Sequence, residues 1–269
     1  TLASVDTVWF VDANNSTGIG TSWSTAFPTI QAALAVVGDG EQIWVAQGTY
    51  KPGTSRSSTY NLPNQVWIFG GFDGTETATD QRDIAAHPTI LSGDIGTNSN
   101  NDDVYHVVTF TPSEWNYSLL DGFTITRGMA TGTGVGDNYG GGVFIETGSL
   151  FIYNCLIDNN QADDRAGGIY VNGGAGFLIN NTISNNTIED MQNGLPGFDD
   201  WGGNGGGVYV NDGVFSANTT TFDFNSATSG GAICSNNSTI TLTSCTLINN
   251  NCYNNGGGVN TYEGSLLLL

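Results

Sequence analysis

Two pairs of adjacent carboxylates have the residue types and spacing best suited to acid–base chemistry. Asp163 and Asp164 precede Arg165, and Asp199 and Asp200 form the second pair. Hydrolysis of a glycosidic bond needs two carboxyl groups about 5 to 9.5 Å apart across a cleft. If both pairs lie in corresponding turns of neighbouring repeats, they meet at one edge with Arg165 between them. The alternative, which the sequence favours, is a solvated acidic edge.

Residues 187–204 form an aromatic and acidic segment that is a candidate ligand-binding loop. Phe198 and Trp201 flank Asp199 and Asp200. Aromatic side chains combine a flat apolar face with polar neighbours, which suits sugar stacking, and carboxylates suit calcium-bridged contacts. The segment therefore predicts either a glycan-binding loop or a loop in which Trp201 only packs against the body of the protein.

The oxygen-rich stretch 93–103 is the candidate metal site. Asp94, Asn98, Asn100 and Asp102 supply the hard oxygen ligands that Ca²⁺ prefers. Their spacing matches neither the EF-hand loop nor the calcium-binding nonapeptide repeat. Calcium is therefore the one cofactor that the sequence indicates, and an acidic loop without an ion is the alternative.

Composition excludes several classes of partner. The 269 residues include 25 Asp and Glu against 5 Lys and Arg, which gives a formal net charge of −20. Phosphate binding needs clustered cations, so nucleic acid is excluded and an anionic membrane surface is disfavoured. No apolar run reaches the length of a transmembrane helix. Abundant Asn, Thr, Ser and Gly with few Lys indicate a secreted protein, located outside the cell or on its surface.

The four cysteines fit neither a disulfide-dense scaffold nor a CxxC metal site. Two pairings remain open, Cys252 with Cys245 or Cys252 with Cys234. Buried free thiols are the alternative.

An internal repeat must position all of these residues. Glycine-rich starts recur, and the residue after the last glycine of each is Val143, Ile169, Val208, Ala232 or Val259, at spacings of 26, 39, 24 and 27. Each start is followed by a short apolar alternation that closes on an asparagine: Asn160, Asn186, Asn225 and Asn250. The single long spacing contains the segment 187–204, and insertions in repeats often carry the binding face.

A repeat of about 25 residues made of two or three period-two strands predicts one coil of a parallel β-solenoid. Equivalent positions then stack about 4.8 Å apart. The four closing asparagines are expected to form a ladder of side-chain amides along one turn. This ladder is a structural feature, because four equivalent neighbours cannot all be active-site residues.

The whole chain, 1–269, is expected to form one domain. Residues 1–40 are the N-terminal cap, with a helix in 27–37 whose apolar face covers the first coil. Residues 41–139 form irregular early coils and 140–269 form regular coils that stop in mid-coil. Leu266 and Leu268 should point inward, and we expect either further coils or an anchor beyond this edge, or another molecule against it.

The repeat residues resemble a known family. Gly230-Gly231-Ala232-Ile233 and Phe222-Asp223-Phe224-Asn225 are similar to the GGA[ILV] and FxxN repeats of polymorphic outer-membrane protein and autotransporter-like adhesins. More broadly, the chain resembles secreted bacterial parallel β-helix proteins, whose N-terminal pattern is present from 9–15 to 120–128. The resemblance implies an all-β, right-handed, single-stranded parallel β-helix, a pectate-lyase-like solenoid with a short N-terminal capping helix. It also implies secretion and attachment through a C-terminal anchor.

Members of this architecture include adhesins, structural surface proteins, lyases and glycosidases. The lyases use an Arg or Lys beside an Asp-held calcium, and Arg127 and Arg165 are the basic residues of the repeat region. The glycosidases combine clustered Asp residues with a His-Gly pair and an RxK motif. This sequence has no RxK motif, and neither His87 nor His106 is followed by glycine. Both histidines are expected to be packing or surface residues.

The sequence therefore predicts a non-enzymatic, extracellular structural or adhesive module, with association of copies into fibres as one role. Its expected partners are other copies of itself or host and matrix glycans. One competing class is a polysaccharide lyase or glycoside hydrolase that uses Asp163, Asp164, Arg165, Asp199 and Asp200. The other is a non-catalytic glycan binder centred on Trp201.

Overall fold

A computed structural model describes residues 7–96, 102–113, 116–188 and 203–269. Its helices and early strands are β1 (Val8–Val11), a 3-10 helix (Trp23–Thr25), α1 (Ile30–Leu34), β2 (Gln42–Ala46), β3 (Gly48–Tyr50), β4 (Tyr60–Asn61), β5 (Trp67–Phe72), a second 3-10 helix (Thr79–Gln81), β6 (Thr89–Ser92), β7 (Val108–Phe110), β8 (Tyr117–Asp121), β9 (Phe123–Thr126) and β10 (Met129–Ala130).

The later strands are β11 (Val143–Glu146), β12 (Ser149–Tyr153), β13 (Leu156–Asp158), β14 (Gln161–Ala162), β15 (Ile169–Asn172), β16 (Ala175–Ile179), β17 (Thr182–Ser184), β18 (Thr187–Ile188), β19 (Val208–Asn211), β20 (Val214–Asn218), β21 (Thr221–Asp223), β22 (Ser226–Ser229), β23 (Ile233–Asn236), β24 (Ser238–Thr243), β25 (Thr246–Ile248), β26 (Asn251–Asn255), β27 (Val259–Thr261) and β28 (Gly264–Leu268).

Each strand pairs in parallel with its equivalent in the next coil, and the chain forms a right-handed parallel β-helix. Within the described residues the strands make four sheets. The largest runs β1-β2-β5-β8-β12-β16-β20-β24-β28. The other three run β4-β7-β11-β15-β19-β23-β27, β3-β6-β9-β13-β17-β21-β25 and β10-β14-β18-β22-β26. A regular coil thus has four strands, not the two or three predicted, because a short run such as Gln161–Ala162 also pairs with its neighbours.

The register corrects one predicted anchor. Ile233, not Ala232, pairs with Val208 and Val259. Each coil start has a residue of positive φ three positions before the strand, such as Gly205 (φ 73°) and Gly230 (φ 64°). Ala232 therefore replaces the third glycine of the start, and it is fully buried.

Alternation along the strands separates a continuous core from the outer faces. Ile152, Leu178, Ala217 and Leu242 occupy one inward column and are buried. Leu266 and Leu268 continue the inward columns of Ile240 and Leu242 in register, as predicted, and are 40% and 64% exposed. Burial of such columns is the main source of stability in a fold of this kind.

The asparagine ladder is confirmed. Asn160 Nδ2 donates to Asn186 Oδ1 at 3.0 Å, and Asn186 Nδ2 donates to Asn225 Oδ1 at 3.0 Å. Asn225 Nδ2 donates to Asn250 Oδ1 at 2.9 Å. The same oxygens accept the backbone N–H of the preceding rung, so each buried amide satisfies its neighbour.

The N-terminal helix is shorter than the predicted 27–37. It starts after Thr29, whose hydroxyl accepts the backbone N–H of Ala32 at 3.3 Å, an N-cap bond. Phe27 is not helical because it bridges Val11 in parallel. Ile30 and Ala33 are buried against the core, as their spacing predicted. In the described part of the chain no helix is long and apolar enough to cross a membrane.

Candidate functional site

Arg165 lies in a stack of aromatic side chains outside the core. Its Cζ is 5.2 Å from the ring centre of Tyr139 and 5.3 Å from that of Tyr209. The rings of Tyr170 and Tyr209 are parallel within 8°, with centres 5.9 Å apart. A guanidinium held between two rings gains cation–π stabilisation. This geometry gives Arg165 packing contacts, and its place in the predicted catalytic set stays a prediction.

The predicted acidic pair Asp163 and Asp164 lies beside this stack, after β14. Asp164 Oδ1 is 3.9 Å from Arg165 Nε, and both side chains are about one quarter exposed. The second pair, Asp199 and Asp200, lies outside the described residues, as do Phe198 and Trp201. The meeting of the two pairs therefore stays a prediction.

A polar groove on another face was missed by the sequence analysis. It has a volume of about 450 Å³ and lies over the turn that contains the asparagine ladder. Its lining is mostly amide, hydroxyl and charged groups: Asp103, Thr126, Arg127, Gly128, Met129, Asn159, Asn160, Gln161, Asn185 and Thr187. The available signal was Arg127, which occupies the strand-end position that asparagine fills in the next two coils, at Asn159 and Asn185.

Arg127 and Asp103 form the charged wall of the groove. Arg127 Nε is 3.1 Å from Asp103 Oδ2, and the Asp103 side chain is 3% exposed. The backbone fixes Asp103, because Val104 N donates to Gly93 O at 3.0 Å and Met129 N donates to Val104 O at 2.7 Å. Arg56 Nε also donates to the Asp103 carbonyl at 2.9 Å.

Burial raises the pKa of Asp103, and Arg127 opposes this shift by favouring the carboxylate. Asp94 and Asp102 raise the same pKa further because they are like charges nearby. Asp103 thus lies near the carboxylates of Asp94 and Asp102 and in contact with the guanidinium of Arg127. Among the described residues, no three His, Cys, Asp or Glu side chains are grouped to hold a metal ion. The predicted ligands Asn98 and Asn100 lie outside those residues, so the calcium site stays a prediction.

Three buried polar side-chain atoms of the groove lining lack a hydrogen-bond partner within the described part of the chain. Two are donors, Arg127 Nη2 and Gln161 Nε2, and one is a carboxylate acceptor, Asp103 Oδ1. Buried polar groups are normally satisfied, since an unpaired one costs about 1–3 kcal/mol. A ligand that both donates and accepts hydrogen bonds fits such a surface.

The histidines play no part in either site. His106 Nδ1 donates to the Gly140 carbonyl at 3.1 Å, and its ring packs 5.0 Å from that of Phe144. Burial lowers the pKa of His106, so the ring is held neutral. The prediction of a packing histidine is confirmed for this residue.

All four cysteines are free thiols, which contradicts both disulfide pairings left open by the sequence. Cys155 and Cys234 are buried. Burial raises the pKa of each of these two thiols to about 12. Neither is a reactive nucleophile at neutral pH.

Comparison with known proteins supports the fold and a family. No curated protein matches the chain. The crystal structure of pectate lyase Pel9A is similar, with a TM-score of 0.50, 17% sequence identity, and coverage of 88% of this chain and 54% of that one. The chain thus spans about half the length of that lyase, and the likeness shows the parallel β-helix fold alone. The adhesin-like repeats remain a resemblance. The family model described as protein of unknown function DUF1565 matches residues 11–264, and the chain belongs to this family.

Proposed function

We propose that this chain is an extracellular, cell-surface β-helix module with an adhesive role, and that it binds host or matrix glycans through the groove beside Arg127. It is a non-catalytic module. The low Lys content and the abundance of Asn, Thr, Ser and Gly support an extracellular location.

The observation that supports this proposal is a set of three buried, unpartnered atoms in the groove lining: Arg127 Nη2, Gln161 Nε2 and Asp103 Oδ1. A sugar hydroxyl donates one hydrogen bond and accepts others, so hydroxyls on one ligand satisfy both kinds of atom. The remaining lining is rich in amides and hydroxyls, which suits the same chemistry. Polar recognition of this kind needs the groups to be held in place beforehand.

The rigid stack supplies that preorganisation. Asn160, one wall of the groove, is 1% exposed and is a rung of the asparagine ladder. Parallel pairing of β9, β13 and β17 fixes the coils that carry Arg127, Asn159 and Asn185. A β-helix therefore presents side chains along its length with little entropy left to lose on binding.

A glycan array followed by calorimetry tests the proposal. Wild-type protein is expected to bind at least one glycan, and Gln161→Met, which keeps the side-chain length but removes the donor, should bind it at least about tenfold more weakly. Gln31→Met at the N-terminal cap is the matched control and should bind as wild type. The proposal is wrong if wild-type protein binds no glycan, or if Gln161→Met binds as tightly as wild type.

A polysaccharide lyase or glycoside hydrolase is the second candidate function. It is favoured by the pairing of Arg127 with Asp103 in a groove and by the likeness of the fold to a pectate lyase. Incubation with polygalacturonate and with neutral glycans, followed by measurement of released products, tests it. Product release by wild-type protein that Arg127→Gln abolishes would establish the enzyme and overturn the non-catalytic role.

Association of copies into fibres is the remaining role for such a module. Electron microscopy of the purified chain decides it. Fibres would add self-association to the proposed function, whereas single particles at high protein concentration would exclude it.

A further inference from the structure

The turn above the asparagine ladder contains a column of left-handed backbone conformations. The register of β9, β13, β17, β21 and β25 places one such residue of each coil directly after the strand. The column is Arg127 (φ 64°), Asn159 (φ 54°), Asn185 (φ 52°), Phe224 (φ 53°) and Asn249 (φ 52°). We call these five residues the turn column.

Arg127 and Phe224 are the unusual members of the turn column. Asparagine enters the left-handed region readily, whereas a bulky side chain there is strained. Three coils of the column use asparagine, so the turn itself does not require Arg or Phe. Backbone strain of this kind is concentrated at functional sites, and an observed outlier is a reason to look for a function.

Both unusual side chains are accessible. Phe224 is 57% exposed, and the Arg127 side chain is 33% exposed. Between them, Asn159 and Asn185 are also exposed, and both amides donate to the carboxylate of Asp158. A charged group, two fixed amides and an aromatic ring therefore follow one another along the axis of the β-helix.

The length of this row defines the shape of a ligand. Three coil steps separate Arg127 from Phe224, which is about 14 Å at about 4.8 Å per step. The groove covers the coils of Arg127, Asn159 and Asn185, and Phe224 lies one coil beyond. Only an extended ligand parallel to the axis contacts both ends.

We propose that the turn column, from Arg127 to Phe224, binds a linear neutral glycan laid along the axis of the β-helix. Phe224 stacks on one sugar ring, and the atoms around Arg127 bind the hydroxyls of another. This proposal rests on the proposed glycan-binding function and names its ligand class and binding mode.

The negative charge around the groove favours a neutral glycan over an anionic one. Asp94, Asp103 and Asp158 lie along the groove or beside it, against the two cations Arg127 and Arg56, and the whole chain carries a net charge of −20. This field repels a polyanion. A neutral polyol still satisfies the unpartnered donors and acceptors of the groove.

Calorimetry with cello-, xylo- and manno-oligosaccharides of two to six units, and with oligogalacturonates of the same lengths, tests the proposal. We expect neutral oligosaccharides to bind, with affinity rising until the ligand spans the column. Phe224→Asn places the usual residue in this turn, so the variant should fold and melt no lower than wild type. It should bind the longest neutral ligand at least about tenfold more weakly, because the variant loses the stacking of a sugar ring on the aromatic side chain. Tyr117→Asn, an exposed tyrosine on the largest sheet, is the matched control and should bind as wild type.

The outcomes separate this proposal from the one on which it rests. If wild-type protein binds no glycan, the proposed function fails. If it binds a glycan but Phe224→Asn has no effect, or if two units bind as tightly as six, glycan binding stands and the turn column is wrong as its site. Preference for oligogalacturonates would overturn the neutral ligand class.

Discussion

Phe222 and Phe224 are separated by a single residue, yet Phe222 is fully buried and Phe224 is 57% exposed. Phe222 lies in β21 and points into the core between Ile183 and Leu247. Phe224 follows the strand in a left-handed turn. The two rings therefore lie on opposite sides of the same coil, one in the core and one at the surface.

Truncation of the Phe222 ring should cost far more stability than truncation of the Phe224 ring. Phe222→Ala should lower the free energy of unfolding by about 3–5 kcal/mol, because it leaves a cavity in the core. Phe224→Ala should change it by less than about 0.5 kcal/mol, as is usual for exposed positions. Chemical denaturation of both variants measures the difference. Equal losses would contradict the register of β21.

Removal of a ladder rung should be costly although asparagine is polar. Asn186 is fully buried, and its Oδ1 accepts from both the backbone N and the Nδ2 of Asn160. Asn186→Ala leaves the backbone N–H of Asn160 without its acceptor, removes one of the bonds of Asn160 Nδ2, and deprives the Ile157 carbonyl of its donor, so we expect a loss of about 2–4 kcal/mol in the free energy of unfolding. Asn218→Ala, at an exposed position of β20, is the control and should lose less than about 0.5 kcal/mol. A loss in Asn186→Ala no larger than in this control would show that the ladder does not stabilise the fold.

His106 should make the protein less stable in mild acid. Burial lowers the pKa of His106 in the folded state below the ordinary value of 6.5. Below pH 6.5 the unfolded chain takes up a proton that the folded chain does not, so stability is present above that pH and is lost as the pH falls through the folded pKa. His106→Asn keeps a donor for Gly140 but cannot titrate. Its unfolding free energy should fall less steeply between pH 7 and pH 5 than that of wild type, and equal slopes would contradict the prediction.

Arg165 should contribute to stability and not to ligand binding. Arg165→Ala removes the guanidinium between Tyr139 and Tyr209 and should cost about 1–2 kcal/mol. Glycan binding measured by calorimetry should remain that of wild type, because Arg165 does not line the groove. Lys51→Ala, at an exposed cation, is the stability control. Loss of glycan binding in a folded Arg165→Ala protein would contradict this prediction and show that Arg165 takes part in ligand binding.

Thiol reagents should distinguish two cysteines from the others. Burial raises the pKa of Cys155 and of Cys234 to about 12, so neither forms a thiolate at neutral pH. The native protein should therefore react at Cys245 and Cys252, which are partly exposed, and react at all four positions only after unfolding. Peptide mapping of the labelled protein identifies the sites. Rapid labelling of Cys234 in the native state would contradict its burial.

Short sequence patterns that recur along the chain were sufficient to predict the fold. The recurrence of Asn160, Asn186, Asn225 and Asn250 after apolar alternations predicted the coils and the ladder, because stacked coils repeat the same short-range requirements. The errors were local as well. Ala232 replaces the third glycine of its coil start, which shifts the predicted anchor by one residue. The predicted helix is too long because a tertiary bridge between Val11 and Phe27 replaces its first turn.

The sequence by itself determined the parallel β-helix, the ladder and the inward columns, since each depends on residues that recur at a fixed spacing. Tertiary structure decided the candidate site. Asp103 and Arg127 lie on different coils, and no periodic signal links a loop carboxylate to a guanidinium one coil away. The surroundings of two arginines are likewise decided by the tertiary structure. Arg127 lies at a groove with unpartnered polar atoms, whereas Arg165 is held between two tyrosine rings. Two arginines that look alike in the sequence differ because their surroundings are assembled by the stacking of distant segments.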